Sequence, residues 1–199
     1  MEPFTTLTAR AAPLDLVNVD TDRIVPARFL RRPRAEGYGQ FLFHDLREAE
    51  PDFPLDRPEH AGAKILVAAE NFGCGSSREG AVWALKGAGF RAWIAPSFGD
   101  IFFENSAKNG ALAIVLPHAR VAVIREMLHE FPGMELAIDL LSQTVRFPDG
   151  TTDRFEVDPF RKECLLAGID EIGLTLRYED AIAEYEQRQA TRTPWLAKP

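Results

Sequence analysis

The amino-acid sequence predicts an α/β fold in which a partly parallel sheet is flanked by helices and is followed by a β-hairpin. Strand-like and helical runs alternate between residues 64 and 116, and this alternation is typical of parallel strands. A Pro-Asp-Gly turn at 148–150 joins two short alternating runs, which predicts the hairpin. With 199 residues, 46% hydrophobic and 27% charged, the chain is expected to form one domain over residues 1–199.

Hydrophobic periodicity places the elements in order along the chain. Residues 4–17 alternate loosely and predict one or two early strands, although Pro13 interrupts them. The weakly periodic stretch 27–53 predicts a long loop of the kind that often carries function. The elements that follow are strand 64–69, helix 78–88, strand 91–95, helix 97–108, strand 111–116, helix 118–131, strands 134–140, 143–147 and 152–157, helices 158–167 and 178–189, and a mobile tail at about 191–199.

Composition narrows the classes of function. A net charge of -7 disfavours nucleic acid as the main partner, although four arginines between 28 and 34 could face a small anion. Cys74 and Cys164 are too few for a disulfide framework or a cluster of soft metal ligands, so we expect a cytoplasmic protein that binds no metal. Since the sequence has neither a signal-peptide pattern nor a run of about 18 apolar residues, no membrane association is expected.

The segment 70–80 is the clearest candidate site. It joins an apolar strand to a helix, and Gly73 and Gly75 allow the sharp turn between them. The first turn of a helix has unpaired N–H groups and partial positive charge, which attract carboxylates or phosphates. Two hydroxyls and a guanidinium lie at this position in the sequence: Ser76, Ser77 and Arg78.

Structural explanations compete with a binding site here. Ser76-x-x-Glu79 before an apolar run is a capping box, and on these residues alone it explains the pattern about as well as an anion site does. The spacings of a P-loop, a Rossmann fingerprint and a nucleophile elbow all fail, because each lacks a required residue.

A second polar segment, 18–26, contains Asp20, Thr21 and Asp22. A turn followed by a helix N-cap is the favoured interpretation. The two carboxylates beside Arg23 could also orient a catalytic group.

The cysteines are weaker candidates, and none of the histidines, at 44, 60, 118 and 129, is a strong one. Cys74 lies at a glycine turn before a helix, where a cysteine can be a nucleophile, but no histidine lies nearby in sequence to act as its base. Cys164, on a predicted helix, is expected in the core.

Four motifs occur along the chain: NVDTDRIVP at 18–26, NFGCGSSRE at 71–79, APSFGDIF at 95–102 and GLTL at 173–176. Together and in this order they resemble the aconitase swivel-domain family and, within it, the small subunits of 3-isopropylmalate dehydratase. The resemblance runs from about residue 4 to 189 and implies a swivelling β/β/α domain of the aconitase C-terminal type.

The resemblance also implies a function. The chain would be the small subunit of a [4Fe-4S]-dependent hydro-lyase that interconverts 2-isopropylmalate and 3-isopropylmalate in leucine biosynthesis. It would bind no cofactor itself and would be active only in a heterodimer or larger assembly with a large subunit that carries the cluster. Ser76 matches the serine that removes and returns the carbon-bound proton of a small dicarboxylate. The residues that would bind the substrate are Ser77, Arg78 and Arg34. The residues that would support the site are Asp20, Thr21, Asp22, Gly73 and Gly75.

Two departures from the family pattern concern the substrate. Gly80 stands where the family usually has His, and Ala35-Glu36-Gly37 aligns with an Arg-Thr-Gly segment, which leaves Arg34 one position early. A paralogous subunit for another small hydroxy-dicarboxylate, such as a methylmalate, is therefore an alternative. A non-catalytic anion-binding regulatory domain and a free-standing cysteine enzyme are two others.

Overall fold

Seven strands form one mixed sheet in the computed structural model, which describes residues 1–196. The order across the sheet is β4-β3-β2-β1-β5-β6-β7. The first four strands pair in parallel, and the last three join them as an antiparallel meander. The strands are β1 Thr6–Leu14, β2 Ile65–Ala68, β3 Ala92–Ala95, β4 Leu112–Val115, β5 Glu135–Asp139, β6 Thr144–Arg146 and β7 Thr152–Arg154.

The α-helices of residues 1–196 are α1 Thr21–Ile24, α2 His44–Ala49, α3 Glu79–Gly87, α4 Asp100–Lys108, α5 His118–Glu130, α6 Pro159–Ala167, α7 Glu171–Leu176 and α8 Glu179–Arg192. Short 3-10 helices lie at Ala27–Arg31, Arg34–Glu36, Tyr38–Phe41, Pro54–Asp56, Pro58–His60 and Pro194–Leu196. None of the helices within this part of the chain is long and apolar enough to cross a membrane.

The parallel strands are buried between two apolar layers, because successive side chains of a strand point to opposite faces. On one face, Leu66 and Trp93 pack with residues of α3 and α4. On the other face, Ile65 and Ile94 pack with α5 and α6. This explains why β2 and β3 are continuous apolar runs. Full burial of a side chain such as Leu85 of α3 contributes about 1.5–3 kcal/mol.

The predicted alternation of strands and helices is confirmed, with shifted boundaries. Residues 4–17 form a single strand that contains Pro13. Ala11 N donates to Met134 O on the side of β5, and the Pro13 nitrogen, two residues on, faces the same side. The pairing of β1 with β5 covers only Thr6 to Arg10, so Pro13 lies beyond it. A proline therefore costs no ladder hydrogen bond there.

Helices α4, α7 and α8 differ from the predictions. The predicted helix at 97–108 begins only at Asp100, because Phe98 pairs with Phe72 in an isolated bridge. Helix α7 was not predicted, and its Asp170 cap accepts from Gly173 N. Helix α8 continues to Arg192, into the predicted tail, whose last residues, 197–199, lie outside the described part of the chain.

The segment 27–60, of which 27–53 is predicted as a long loop, is a succession of short helical turns that packs on α3. Tyr38 is buried and meets Trp83 of α3 edge to face, with the ring centroids 5.4 Å apart. Gly80, in the first turn of α3, allows this approach: a Cβ atom there would lie 2.6 Å from Leu30 Cδ2. The glycine that departs from the family pattern is thus where segment 27–60 rests on α3.

Candidate active site

The loops that follow β1 and β2 meet at one edge of the sheet. Asp20 and Cys74 pair in an isolated bridge, and Thr21 N donates to Cys74 O over 3.0 Å. The bridge between Phe72 and Phe98 adds the loop that follows β3. In sheets with parallel strands, ligands bind at this carboxyl edge.

Two glycines shape the loop after β2. Gly73 has a φ of +72°, and a Cβ atom there would lie 2.2 Å from Phe102 Cγ. Gly75 has a φ of +89° and is exposed. Both backbone conformations favour glycine. Together they turn the chain outward, so that Ser76 and Ser77 are exposed.

Ser76 contacts the first residue of α1. Its Oγ lies 3.0 Å from Thr21 Oγ1, and its carbonyl oxygen accepts from Thr21 Oγ1 over 3.1 Å. The same carbonyl accepts from Arg78 N over 2.8 Å. Thr21 is only 1% exposed, so a buried hydroxyl supports an exposed one.

The capping-box interpretation of Ser76 and Glu79 is wrong. Helix α3 begins at Glu79, its N-cap is Arg78 in an extended conformation, and no side chain caps it. The Ser76 side chain bonds to Thr21 instead. The Glu79 carboxylate accepts from Asn109 Nδ2 over 2.7 Å.

Arg78 forms an ion pair with Asp22 of α1. The Arg78 side chain is 22% exposed and that of Asp22 is 54% exposed, so this pair lies at the surface beside Ser76 and Ser77. Asp20 N-caps α1, as expected, since its Oδ1 accepts from Arg23 N over 2.7 Å.

Arg34 lies in a different environment. Its guanidinium stacks over the Trp83 ring at 4.6 Å, and its Nη2 lies 3.4 Å from Asn109 Oδ1. With Lys86 and Asn109 it lines a polar pocket of about 480 Å³. The structure thus brings together Thr21, Asp22, Ser76 and Arg78, and it places Arg34 in a separate group, which contains Trp83, Lys86 and Asn109.

Asn109 organises that second group and was not singled out in the sequence. It is buried and accepts from Trp83 Nε1 over 3.1 Å, in addition to its bonds with Arg34 and Glu79. Asn109-Gly110 follows a helix, which in a sequence is typical of a simple helix stop. Nothing in that pattern indicates a side-chain hub.

The two cysteines lie on different elements of the fold. Cys74 lies in the loop after β2, and burial, followed by the Asp20 charge, raises the pKa of its thiol. Cys164, on α6, is half-buried rather than in the core as expected, and it lines an apolar pocket of about 400 Å³ beside Phe160 and Leu174. A raised pKa disfavours the thiolate that a nucleophile or metal ligand requires.

One set of possible metal ligands lies close together, at His44, Asp45 and Glu48. Arg28 donates to Asp45 Oδ2 over 2.9 Å, so a guanidinium already neutralises that carboxylate. Asp45 and Glu48 are exposed and His44 is half-buried. The group is remote in sequence from the Ser76 loop, and we assign it no ligand.

Comparisons with known proteins identify the families to which the sequence is similar. The aconitase C-terminal domain family matches residues 1–119. The LeuD_N family matches residues 124–159, and the family of the C-terminal domain of 3-isopropylmalate dehydratase small subunits matches residues 171–198.

Individual relatives match over nearly full length. A 3-isopropylmalate dehydratase small subunit of Methylibium petroleiphilum is 49% identical, covering 99% of this chain and 98% of the relative. One from Paramagnetospirillum magneticum is 50% identical, covering 98% and 100%. The crystal structure of 3-isopropylmalate dehydratase from Methanocaldococcus jannaschii superposes with a TM-score of 0.65 at 28% identity, covering 91% of this chain and 99% of that one.

Proposed function

This chain belongs to the aconitase C-terminal domain family, among the small subunits of 3-isopropylmalate dehydratase, and we propose that it supplies the proton-transfer and carboxylate-binding half of that enzyme. The reaction is the interconversion of 2-isopropylmalate and 3-isopropylmalate in leucine biosynthesis, by loss and return of water. The observation that carries the proposal is the exposed Ser76 hydroxyl beside the Arg78 guanidinium at the carboxyl edge of the parallel strands.

Ser76 is the proposed base. A serine oxygen holds its proton tightly, so it removes a proton from carbon only where positive charge stabilises the alkoxide. Arg78 lies two residues away, and the N–H groups at the start of α3 add partial positive charge. The proton taken from the substrate carbon would be held on Ser76 Oγ and returned when water is added back.

Arg78 and Ser77 are the proposed binders of a substrate carboxylate. A guanidinium presents a planar pair of N–H groups that fits a carboxylate bidentately. Asp22 touches one side of Arg78 and keeps this group at the edge of the loop. The exposed Ser77 hydroxyl is free to donate to the same carboxylate.

The iron–sulfur cluster is proposed for a separate large subunit in the cytoplasm. A cluster takes three or four cysteines, whereas this chain has two, on different elements, and burial raises the pKa of both thiols. When bound, a cluster iron supplies a Lewis acid to the substrate hydroxyl. The residues of this chain would bind the substrate and move its proton, which requires assembly of the two subunits.

Reconstitution tests the proposal. The chain is combined with a cluster-bearing large subunit and assayed with 3-isopropylmalate and, as a competing substrate, 2-methylmalate. We expect turnover of 3-isopropylmalate, and we expect Ser76→Ala to lower kcat by about 10²–10⁴-fold, the usual contribution of a general base. Ser142→Ala, which removes an exposed hydroxyl from the β5–β6 turn, is the matched control.

The outcomes separate the alternatives. A near wild-type rate for Ser76→Ala in an assembled complex would eliminate Ser76 as the base. A complex that acts on 2-methylmalate and not on 3-isopropylmalate would assign the chain to the paralogous dehydratases.

A further inference from the structure

The hydroxyl of Thr21 lies between two oxygen atoms of Ser76. Thr21 Oγ1 is 3.1 Å from the Ser76 carbonyl oxygen and 3.0 Å from Ser76 Oγ. The carbonyl can only accept, whereas the serine hydroxyl can either donate or accept. A threonine hydroxyl has one proton, so it can donate to only one of these oxygens at a time.

Because each hydroxyl has one proton, these contacts determine which group donates to which in the resting enzyme. When Thr21 donates to the Ser76 carbonyl, the short contact between the two hydroxyls requires Ser76 to donate to Thr21. The Ser76 proton then points into the protein, toward a buried oxygen, and the lone pairs of Ser76 Oγ face the exposed side of the loop.

When Ser76 loses its proton, the direction of the hydrogen bond between Ser76 Oγ and Thr21 Oγ1 is reversed. The Thr21 proton can then rotate from the carbonyl to the charged Ser76 oxygen, where a hydrogen bond is stronger. The carbonyl is not left unpaired by this rotation, because it still accepts from Arg78 N over 2.8 Å. The change therefore needs only rotation about the Thr21 C–O bond.

The backbone holds Thr21 firmly in this place. Thr21 N donates to Cys74 O, and Thr21 O accepts from Val25 N, each over 3.0 Å. As a β-branched residue that is 1% exposed, Thr21 has few alternative χ1 rotamers and no water competing for its hydroxyl.

We infer that Thr21 is a positioning residue for Ser76: its hydroxyl directs the Ser76 proton in the resting enzyme and donates to the Ser76 oxygen after that proton has passed to water. When Ser76 then takes a proton from substrate carbon, the C–H bond breaks, its electron pair stays on carbon, and an O–H bond forms at Ser76. This inference rests on the proton-transfer role proposed above.

The test in the reconstituted enzyme compares Thr21→Val, which keeps the shape and removes the hydroxyl, with Thr21→Ser, which keeps the hydroxyl. For Thr21→Val we expect kcat at neutral pH to fall about tenfold, the acidic limb of the kcat–pH profile to move about one unit to higher pH, and KM to stay within about twofold. Thr21→Ser should retain the wild-type limb. An unmoved limb in Thr21→Val would overturn the inference, since a purely structural residue would change only the melting temperature.

A second measurement needs no large subunit and no turnover. In the full chain with Cys74→Ser, Cys164→Ser and Ser76→Cys, the single thiol is titrated by the absorbance of its thiolate. Adding Thr21→Val should raise the measured pKa by about one unit, whereas adding Thr21→Ser should not.

The two measurements distinguish an error in the role of Thr21 from an error in the proposed function. An unchanged thiol pKa would overturn the role of Thr21, whether or not the enzyme turns over. A shifted thiol pKa together with a wild-type complex that is inactive on both hydroxy acids would refute the proposed function and would leave the hydrogen-bond relationship established.

Discussion

Asp22 and Arg78 form an ion pair that joins the loop after β1 to the start of α3. The pair is partly exposed at the site, so solvent screens it, and such pairs contribute at most about 1 kcal/mol to stability. Its main effect is geometric: it fixes the direction of the guanidinium that we propose binds a substrate carboxylate.

Arg78→Lys should weaken substrate binding and leave the fold intact. Lysine keeps the charge and loses the planar pair of donors, so we expect KM for the dicarboxylate to rise about 10–100-fold. Steady-state kinetics of the assembled enzyme measure this change, and Arg23→Lys, at an exposed arginine of α1, is the control. A collapse of the melting temperature instead would show that Arg78 is structural.

Gly73→Ala should destabilise the chain by about 2–4 kcal/mol. The added Cβ would have to occupy space held by the Phe102 ring, and alanine is strained at the positive φ of this position. Urea denaturation measures the free energy of unfolding. Gly150→Ala separates the two causes, because Gly150 has a φ of +85° with no atom within 4 Å of the added Cβ. Equal losses for both variants would mean that contact with Phe102 contributes nothing.

Cys74 should react slowly with alkylating agents. Burial raises the pKa of its thiol, so little thiolate is present at neutral pH. We expect the rate of reaction with iodoacetamide at pH 7 to be below that of free cysteine and to rise steeply above pH 9. Cys74→Ser should keep the activity of the assembled enzyme. Loss of activity in that variant, together with turnover by the isolated chain, would support a cysteine enzyme.

Stability should fall in mild acid because of His60. This residue is 7% exposed, and burial lowers the pKa of its imidazole. The Glu59 charge opposes this shift, whereas the charges of Arg57 and His129 add to it. The folded chain thus keeps His60 neutral, whereas the unfolded chain protonates it near pH 6.5, so stability is present above that pH and is lost as pH falls through the folded pKa.

Melting temperatures at pH 8, 6.5 and 5.5 test this prediction. We expect the drop between pH 8 and 5.5 to be smaller in His60→Asn than in wild type. His118→Asn, at an exposed histidine, should keep the wild-type drop. The same drop in His60→Asn as in wild type would assign the acid sensitivity to other groups.

The parallel half of the fold could be predicted from the sequence because its strands are buried on both faces. Burial requires β2, β3 and β4 to be nearly continuous apolar runs, and such runs between helical patterns are easily recognised. The carboxyl edge, and with it the place of Ser76 and Arg78, follows from that topology.

The side-chain contacts of the site could not be predicted, because they are made between segments that are distant in sequence. Ser76 and Glu79 have the spacing of a capping box, but each finds a partner from another segment: Thr21 for the serine and Asn109 for the glutamate. The location of Arg34 was likewise decided by stacking on Trp83, a contact between residues 49 positions apart. Sequence patterns describe neighbours along the chain, and these partners come from distant parts of it.

The order of the strands has a practical consequence. The Ser76 loop follows β2, and the turn at 148–150 follows β6. In the sheet, β1 and β5 lie between β2 and β6, so β6 is the third strand from β2. At about 4.8 Å per strand this is roughly 14 Å across the sheet. We therefore expect a fluorescent label or a short affinity tag inserted beside Gly150, where the backbone has open space, to report on docking to the large subunit without changing turnover.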